Sequence, residues 1–243
     1  MQPLTPARSL KYAIDRAAAL LLLLALAPLL LLLAVVVRVL MGSPVLFRQM
    51  RAGYQRRPFE IFKFRSMRED TSTPDAPLFD TALANIALPN IALPSIALPN
   101  TALPNTVIPD AVRLTPLGRF LRRTGLDELP QLFNIARGEM SFVGPRPLLV
   151  RYLPFFSSTE NLRYEVRPGL TGWAQIHGRN QSRWDERLAR DVWYVRHWSL
   201  ALDLRIAALT IMLLAGGKGF EAAPTAAMAD LDTERATPAA GPQ

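Results

Sequence analysis

Cysteine is absent from the 243 residues, and histidine occurs only twice, at His177 and His197. The first absence excludes disulfides, a thiolate nucleophile and a cysteine-ligated zinc. The second argues against a multi-histidine metal centre, so any metal would sit among oxygens, which favours magnesium-like chemistry. Acidic residues are also scarce: 20 Asp and Glu stand against 28 Lys and Arg, a net charge of +8. Such an excess calls for an acidic partner, whether nucleic acid, anionic lipid or a phosphorylated substrate. The length suffices for one domain of ordinary size with appendages, and for a real core.

Charge disappears altogether from Ala17 to Val37, AAALLLLLALAPLLLLLAVVV. As a straight helix this run would be about 30 Å long, enough to cross a bilayer. A cleaved signal peptide fits poorly, because Arg38 follows the run where a small-residue cleavage site should be. A plain spanning helix meets two objections. Pro28 stands in the middle and removes a backbone hydrogen bond, and basic residues flank both ends: Arg8, Lys11 and Arg16 before, Arg38, Arg48 and Arg51 after. Positive-inside bias then asks for both ends on the cytoplasmic side. A re-entrant hairpin hinged at Ala27 and Pro28 satisfies both observations. A second apolar stretch from Ser199 carries Asp203 and Arg205 and suits an amphipathic helix lying in the interface. LGRFLRRTG and YLPFFSS could rest on headgroups or pack into a core.

Residues 44–68 read as short strands joined by a polar turn around Gly53–Pro58. The alternation in EIFKFRS places Lys63 and Arg65 on one face, opposite Phe62 and Phe64. That face is either simply solvated or turned toward a phosphate. Residues 81–110 repeat a five-residue unit with proline at its fourth place in nearly every copy. Such spacing blocks helix interiors and sheet ladders, so the segment reads as a low-complexity insert (75–112) without acid, base or nucleophile.

The stretch LTPLGRFLRRTGLDELPQLFNIARGEM predicts two helices. Pro130 is tolerated only in a first turn, so the second helix starts close to Asp127 and Glu128, with Leu129, Leu132 and Phe133 as its buried stripe. Two acids at a helix N-terminus are ordinary capping, and Thr124-x-x-Asp127 is a capping pattern. Against that, Arg122, Arg123, Arg146, Arg167 and Arg179 lie nearby or in loop-like contexts beside Pro or Gly. Loop arginines clamp phosphates bidentately, and a carboxylate among them can bind a divalent cation or attack phosphorus.

KFRSM, LDELPQLFN, GEMSFVGPRPL, RPGLTGWAQIHGRN and DVWYVRHWSLALDL, in that order, resemble the bacterial sugar transferases, the monotopic phosphoglycosyl transferases. The likeness covers roughly residues 10–215 apart from the insert, in the manner of the family's short members. It implies an α/β (α+β) fold: a re-entrant membrane helix (1–43), a small cytoplasmic catalytic domain of short strands, helices and interfacial amphipathic helices (44–215), and here a disordered tail (216–243). It implies transfer of a phosphosugar from a UDP-sugar to undecaprenyl phosphate, with release of UMP, at the cytoplasmic face of the bacterial inner membrane. Asp127 corresponds to the nucleophile, forming a covalent phosphosugar intermediate, and also to a ligand of Mg2+. Glu128 would position the metal or the nucleophile. Arg146 matches a phosphate-binding arginine, Arg179 a nucleotide contact and Arg122 a supporting cation. Nucleic acid is then not the partner, and a homo-oligomer is left open.

Two features depart from the family pattern: Ala27-Pro28 stands where a Ser-Pro pair is usual, and the pentapeptide insert precedes the acid pair. The rival readings are a catalytically degenerate membrane-attached scaffold or binding protein, and a metal-dependent pyrophosphatase of nucleotide sugars. Trp173, Trp184, Trp193 and Trp198 read as core or interface anchors, and His177 as a structural hydrogen bonder. Asp191 and Asp203 resemble acidic positions of the family motif and read either as salt-bridge partners of nearby arginines or as members of the catalytic apparatus.

Overall fold

The computed structural model describes residues 5–68, 113–178, 183–216 and 230–236. The pentapeptide insert and Arg179 lie outside them. The chain divides into two compact units, Met1–Ser66 with Pro116–Gln243, and Met67–Thr115. In the second unit Met67 bridges Leu114 and the Arg68 N–H donates to the Arg113 carbonyl at 3.0 Å. The two ends of the insert-bearing segment therefore meet in a short antiparallel ladder.

The first unit opens with α1 (Pro6–Ala25) and α2 (Ala27–Met41), bent by 64° relative to each other. The break falls at Leu26, so the expected hinge pair Ala27-Pro28 instead opens the second helix. The reason is local. Pro28 has no N–H to offer the Leu24 carbonyl and its ring crowds that carbonyl, whereas in a first turn a missing N–H costs nothing. Among the described residues no single helix is long and apolar enough to cross a membrane; the bent pair passes that test only jointly. Large apolar side chains face outward along both arms, Leu24 being 75% exposed, while Ala19, Leu33 and Val37 turn inward and are buried.

Two strands follow, β1 (Leu46–Ala52) and β2 (Pro58–Phe64), an antiparallel hairpin that sets Leu46 opposite Phe64 and Ala52 opposite Pro58. The chain continues through α3 (Pro116–Thr124), α4 (Gln131–Arg137), β3 (Ser141–Val143), β4 (Leu148–Leu149), β5 (Gly169–Thr171), α5 (Trp173–Gly178), α6 (Trp184–Arg196) and α7 (Leu200–Ala215). β4 adds to the end of β1, giving the order β2-β1-β4, and β3 pairs with β5 in parallel.

β2 is therefore an edge strand, whose outward N–H and C=O groups need partners. Asn134 supplies both: its amide nitrogen donates to the Glu60 carbonyl at 2.6 Å and its Oδ1 accepts from the Phe62 N–H at 3.2 Å. One buried asparagine thus fastens α4 to the free edge of the sheet. The buried face of α4 is Gln131, Leu132, Asn134 and Ile135. Phe133, expected in the stripe with Leu129 and Leu132, falls on the outer side and is 48% exposed. YLPFFSS packs inward through Tyr152 and Phe156.

The amphipathic helix expected after Ser199 is α7, with the Ser199 hydroxyl capping the Leu202 N–H at 3.1 Å. Its Asp203 and Thr210 face the domain, while Arg205 is exposed. Asp203, Ile206 and Thr210 are buried, while Leu204 is 72% exposed and Ile211 and Met212 also point outward. Asp203 meets Lys11 of α1 at 3.0 Å and accepts from Tyr194 at 2.6 Å and Trp198 at 3.1 Å. Lys11 also reaches Asp15 (3.2 Å) and Ser141 (2.6 Å). Asp203 is thus a salt-bridge partner, of a lysine rather than an arginine.

Within the stretch expected to be a disordered tail, Leu231–Ala236 form a further helix, α8. Leu231 supplies the buried apolar contact that composition alone concealed.

Asn134→Leu strands the Glu60 carbonyl and the Phe62 N–H, each worth about 1–3 kcal/mol when buried without a partner. Chemical denaturation in detergent is expected to show a loss on that scale.

Candidate active site

The last turn of α3 carries Arg122, whose Nε donates to the Ser66 hydroxyl at 2.9 Å. Gly125 then takes the left-handed conformation (φ 71°) that ends the helix, and Leu126–Glu128 form a single 3-10 turn ahead of α4. The capping reading of Thr124-x-x-Asp127 does not hold. The Thr124 hydroxyl turns back to the carbonyls of Phe120 and Leu121 at 2.8 and 3.0 Å. The two acids sit on a tight turn of their own, just before the helix.

Their environments differ. Glu128 is enclosed, and its Oε1 accepts from Lys63 Nζ at 2.7 Å and from Arg146 Nη2 at 2.9 Å. Burial alone would raise its pKa. Arg146 and Lys63 outweigh that and hold the carboxyl at about 2, well below the usual 4.5. Glu128 is ionised at any physiological pH, and its role is to fix two cations. Asp127 is 6% exposed and lines the cleft beside it.

Arg146 projects from the loop between β3 and β4, which is knitted to β5. The Gly144 N–H donates to the Thr171 carbonyl at 2.9 Å and the Gly169 N–H to the Pro145 carbonyl at 3.0 Å. A Cβ on Gly169 would lie 2.1 Å from the Gly144 nitrogen, so no side chain fits at that crossing. The Arg146 carbonyl accepts from Arg163 Nη2 at 2.7 Å. Arg163 in turn grips Asp191 Oδ2 through Nε (3.1 Å) and Nη2 (2.8 Å), both residues being buried.

The resulting cleft encloses about 770 Å³, including its open mouth. Arg122, Arg146, Arg163 and Arg187 line it against three acids, Asp127, Glu128 and Asp191. Arg51, behind the loop, is pushed down to about 10 by burial, with Arg146 adding to the effect. Burial and the Arg146 charge likewise lower Arg187. A cleft that crowds guanidinium groups to this degree suits a ligand of more than one negative charge.

Of the residues singled out from sequence, Asp127, Glu128, Arg122 and Arg146 come together in this cleft. Lys63 stands behind it, engaged with Glu128 rather than facing a ligand directly. Arg65 does not join the site. β2 ends at Phe64, and beyond it the Arg65 guanidinium donates to the Ser43 carbonyl at 2.9 Å, bracing the turn after α2. His177 makes the expected structural hydrogen bond, to the Trp173 carbonyl at 3.1 Å. Trp184 is a core residue that also forms a cleft wall.

Arg163, Arg187 and Gln175 line the cleft as well and went unnoticed in the sequence. One signal was available. Asp191 lies on the buried stripe of α6 with Trp184, Leu188, Val192 and Val195, and a charge on such a stripe requires a cation from elsewhere.

No group of three His, Cys, Asp or Glu suited to a metal occurs among the described residues. Glu128 and Asp191 are committed to cations. Asp127 is the cleft carboxylate that would hold a divalent cation, and an ion with oxygen ligands would suit it.

The family described as Bacterial sugar transferase matches residues 6–217. The uncharacterized sugar transferase EpsL of Bacillus subtilis is 39% identical over 212 residues, 87% of this chain and 90% of that one. The undecaprenyl-phosphate glucose phosphotransferase of Komagataeibacter xylinus is 41% identical over 216 residues, 83% of this chain and 35% of its own. The UDP-glucose:undecaprenyl-phosphate glucose-1-phosphate transferase of Escherichia coli is 35% identical over 224 residues, 88% of this chain and 40% of its own. This chain belongs to the bacterial sugar transferase family. It spans most of EpsL and well under half of the two glucose transferases.

A carboxyl held at about 2 stabilises the fold fully above pH 4.5 and loses that contribution as pH falls through 2. Glu128→Gln is expected to cost about 3 kcal/mol at pH 7. The gap to wild type should narrow as denaturation is repeated from pH 5 down to pH 3.

Proposed function

We propose that this chain transfers a sugar phosphate from a UDP-sugar to undecaprenyl phosphate, releasing UMP. The observation that carries the reading is the acid turn itself: Asp127 at the cleft wall beside a Glu128 locked between Lys63 and Arg146, with four arginines around them. The names of the Komagataeibacter and Escherichia relatives supply the substrate class.

In this mechanism a carboxylate oxygen of Asp127 attacks the sugar-bearing phosphorus of the donor. The bond to the bridging oxygen breaks, and its electron pair leaves with UMP. The acceptor's phosphate oxygen then attacks the aspartyl-linked phosphorus, which yields undecaprenyl-diphosphate-sugar and returns Asp127 as carboxylate. Arg146 and Arg122 offset the charge of the diphosphate, and Glu128 keeps Arg146 in place without itself gaining or losing a proton. Mg2+, held by Asp127 and the diphosphate, would supply further neutralisation of the leaving group.

The same reading assigns the bent pair α1–α2 to a re-entrant hairpin at the cytoplasmic face of the bacterial inner membrane. The outward apolar faces of both arms and of α7 would lie against lipid, and the basic flanks favour both ends on the cytoplasmic side. Leu126 of the acid turn packs on the apolar cluster of α2, which would bring a lipid-linked acceptor close to that turn.

UMP release is the direct test, beginning with UDP-glucose and extending to other UDP-hexoses, with magnesium, with and without undecaprenyl phosphate. Acceptor-dependent release is expected, falling about 1000-fold or more in Asp127→Asn. Lipid-independent release would indicate hydrolysis, and no release from any donor a scaffold. For topology, single cysteines placed before Pro6 and after Met41 should both be labelled only from the cytoplasmic side; a periplasmic N-terminus would rule out the hairpin.

A further inference from the structure

α8 lies beyond the residues matched by the family, 6–217, yet it is built into the wall of the cleft. Leu231 is wholly buried in one cluster with Tyr152, Leu148, Trp184 and Leu188. The last three also line the cleft. They form a thin partition, with the cleft on one side and α8 on the other. The Tyr152 ring packs edge-on against Trp184 at 5.5 Å, and its hydroxyl donates to Asp230 at 2.6 Å.

The ion pairs hold both sides of that partition. Arg235 meets Glu160 twice, Nη2 to Oε1 at 2.7 Å and Nη1 to Oε2 at 2.8 Å. It also donates to the Phe155 carbonyl at 2.6 Å and to Asp185 at 2.8 Å. Asp185 follows Trp184 in the first turn of α6, and Phe155 ends the 3-10 stretch that carries Tyr152. Arg151 pairs with Asp230 and Asp232. A helix of six residues has no stability of its own, so it depends on these contacts, and it in turn clamps the start of α6 to the Val150–Phe155 stretch.

We propose that α8 is a latch on the cleft wall, with Leu231 and Arg235 as positioning residues that hold Trp184 and Leu188 in the arrangement that binds the donor nucleotide. The proposal rests on the reading of the cleft as the UDP-sugar site. Removing Leu231 leaves a void directly behind the wall, into which Trp184 and Leu188 can relax. The acid turn and Arg146 lie outside the cluster that Leu231 completes. Donor affinity therefore changes while the rate of the bound complex does not.

The test uses the full chain in detergent or nanodiscs, with calorimetric titration of UDP alongside donor KM and kcat. Leu231→Ala and Arg235→Ala are expected to weaken UDP binding and raise the KM for the donor roughly fivefold or more, the effect of about 1 kcal/mol. kcat should stay within about twofold, the margin of about half a kcal/mol. Arg235→Glu should behave likewise, and adding Glu160→Arg should recover much of the affinity. That rescue keeps the test decisive should Leu231→Ala fold poorly. Variants that bind UDP as tightly as wild type would overturn the latch alone. A wild type that binds no UDP would overturn the donor reading, and the latch with it. A uniform fall in kcat with unchanged KM would assign α8 to general stability instead.

Discussion

A single carboxylate oxygen, Oε1 of Glu128, receives both Lys63 and Arg146. Those residues come from an edge strand, a 3-10 turn and a loop between two strands, and the shared oxygen sets how their charges meet. Burying a carboxylate is costly unless it is paired, and two partly buried cations, Lys63 and Arg146, meet that cost here. Each of the three therefore needs the others in place. The arrangement fixes the turn that carries Asp127 and aims Arg146 at the cleft. Asn134 reinforces it from below, because the amide that completes the edge of β2 belongs to the helix directly after the acid turn.

The N-terminal helices obey a different constraint. Their outward surfaces are largely apolar, as is much of the outward surface of α7, whose Asp203 and Thr210 face the domain while Arg205 is exposed. This is the reverse of a helix packed on a water-soluble core. Lys11, Asp15, Ser141 and Asp203 form one buried polar knot where α1, β3 and α7 meet. The knot ties the helix pair to the domain by directional contacts, which do not depend on excluding water in the way apolar packing does.

Much of the candidate site was legible along the chain because its members sit in compact motifs. Asp127 and Glu128 are adjacent and precede Pro130, and Arg146 stands between two prolines and after a glycine. Strand alternation correctly put Lys63 opposite Phe62 and Phe64, but the same alternation misplaced Arg65, because the strand stops one residue earlier. Arg163 and Asp191, 28 positions apart, had no local signature and met only through the fold. The tail misled for a related reason: its composition is that of disorder, while its order depends on contacts far along the chain, those of Arg235 lying 50 to 80 residues away and Leu231 joining a cluster that includes Ala52.

Sequence by itself determined the local facts. It set the break in the apolar run, since proline lacks an N–H wherever it stands, and the hairpin of β1 and β2. It also set the start of a helix beside Pro130 and the basic surplus that calls for an anionic ligand. Tertiary structure decided which charges face each other. Glu128 became the counter-ion of Lys63 and Arg146, Asp203 a partner of Lys11, and Arg65 a brace at the Ser43 carbonyl. Coulomb and desolvation energies depend on distance and burial in space, and neither quantity is written in the order of residues.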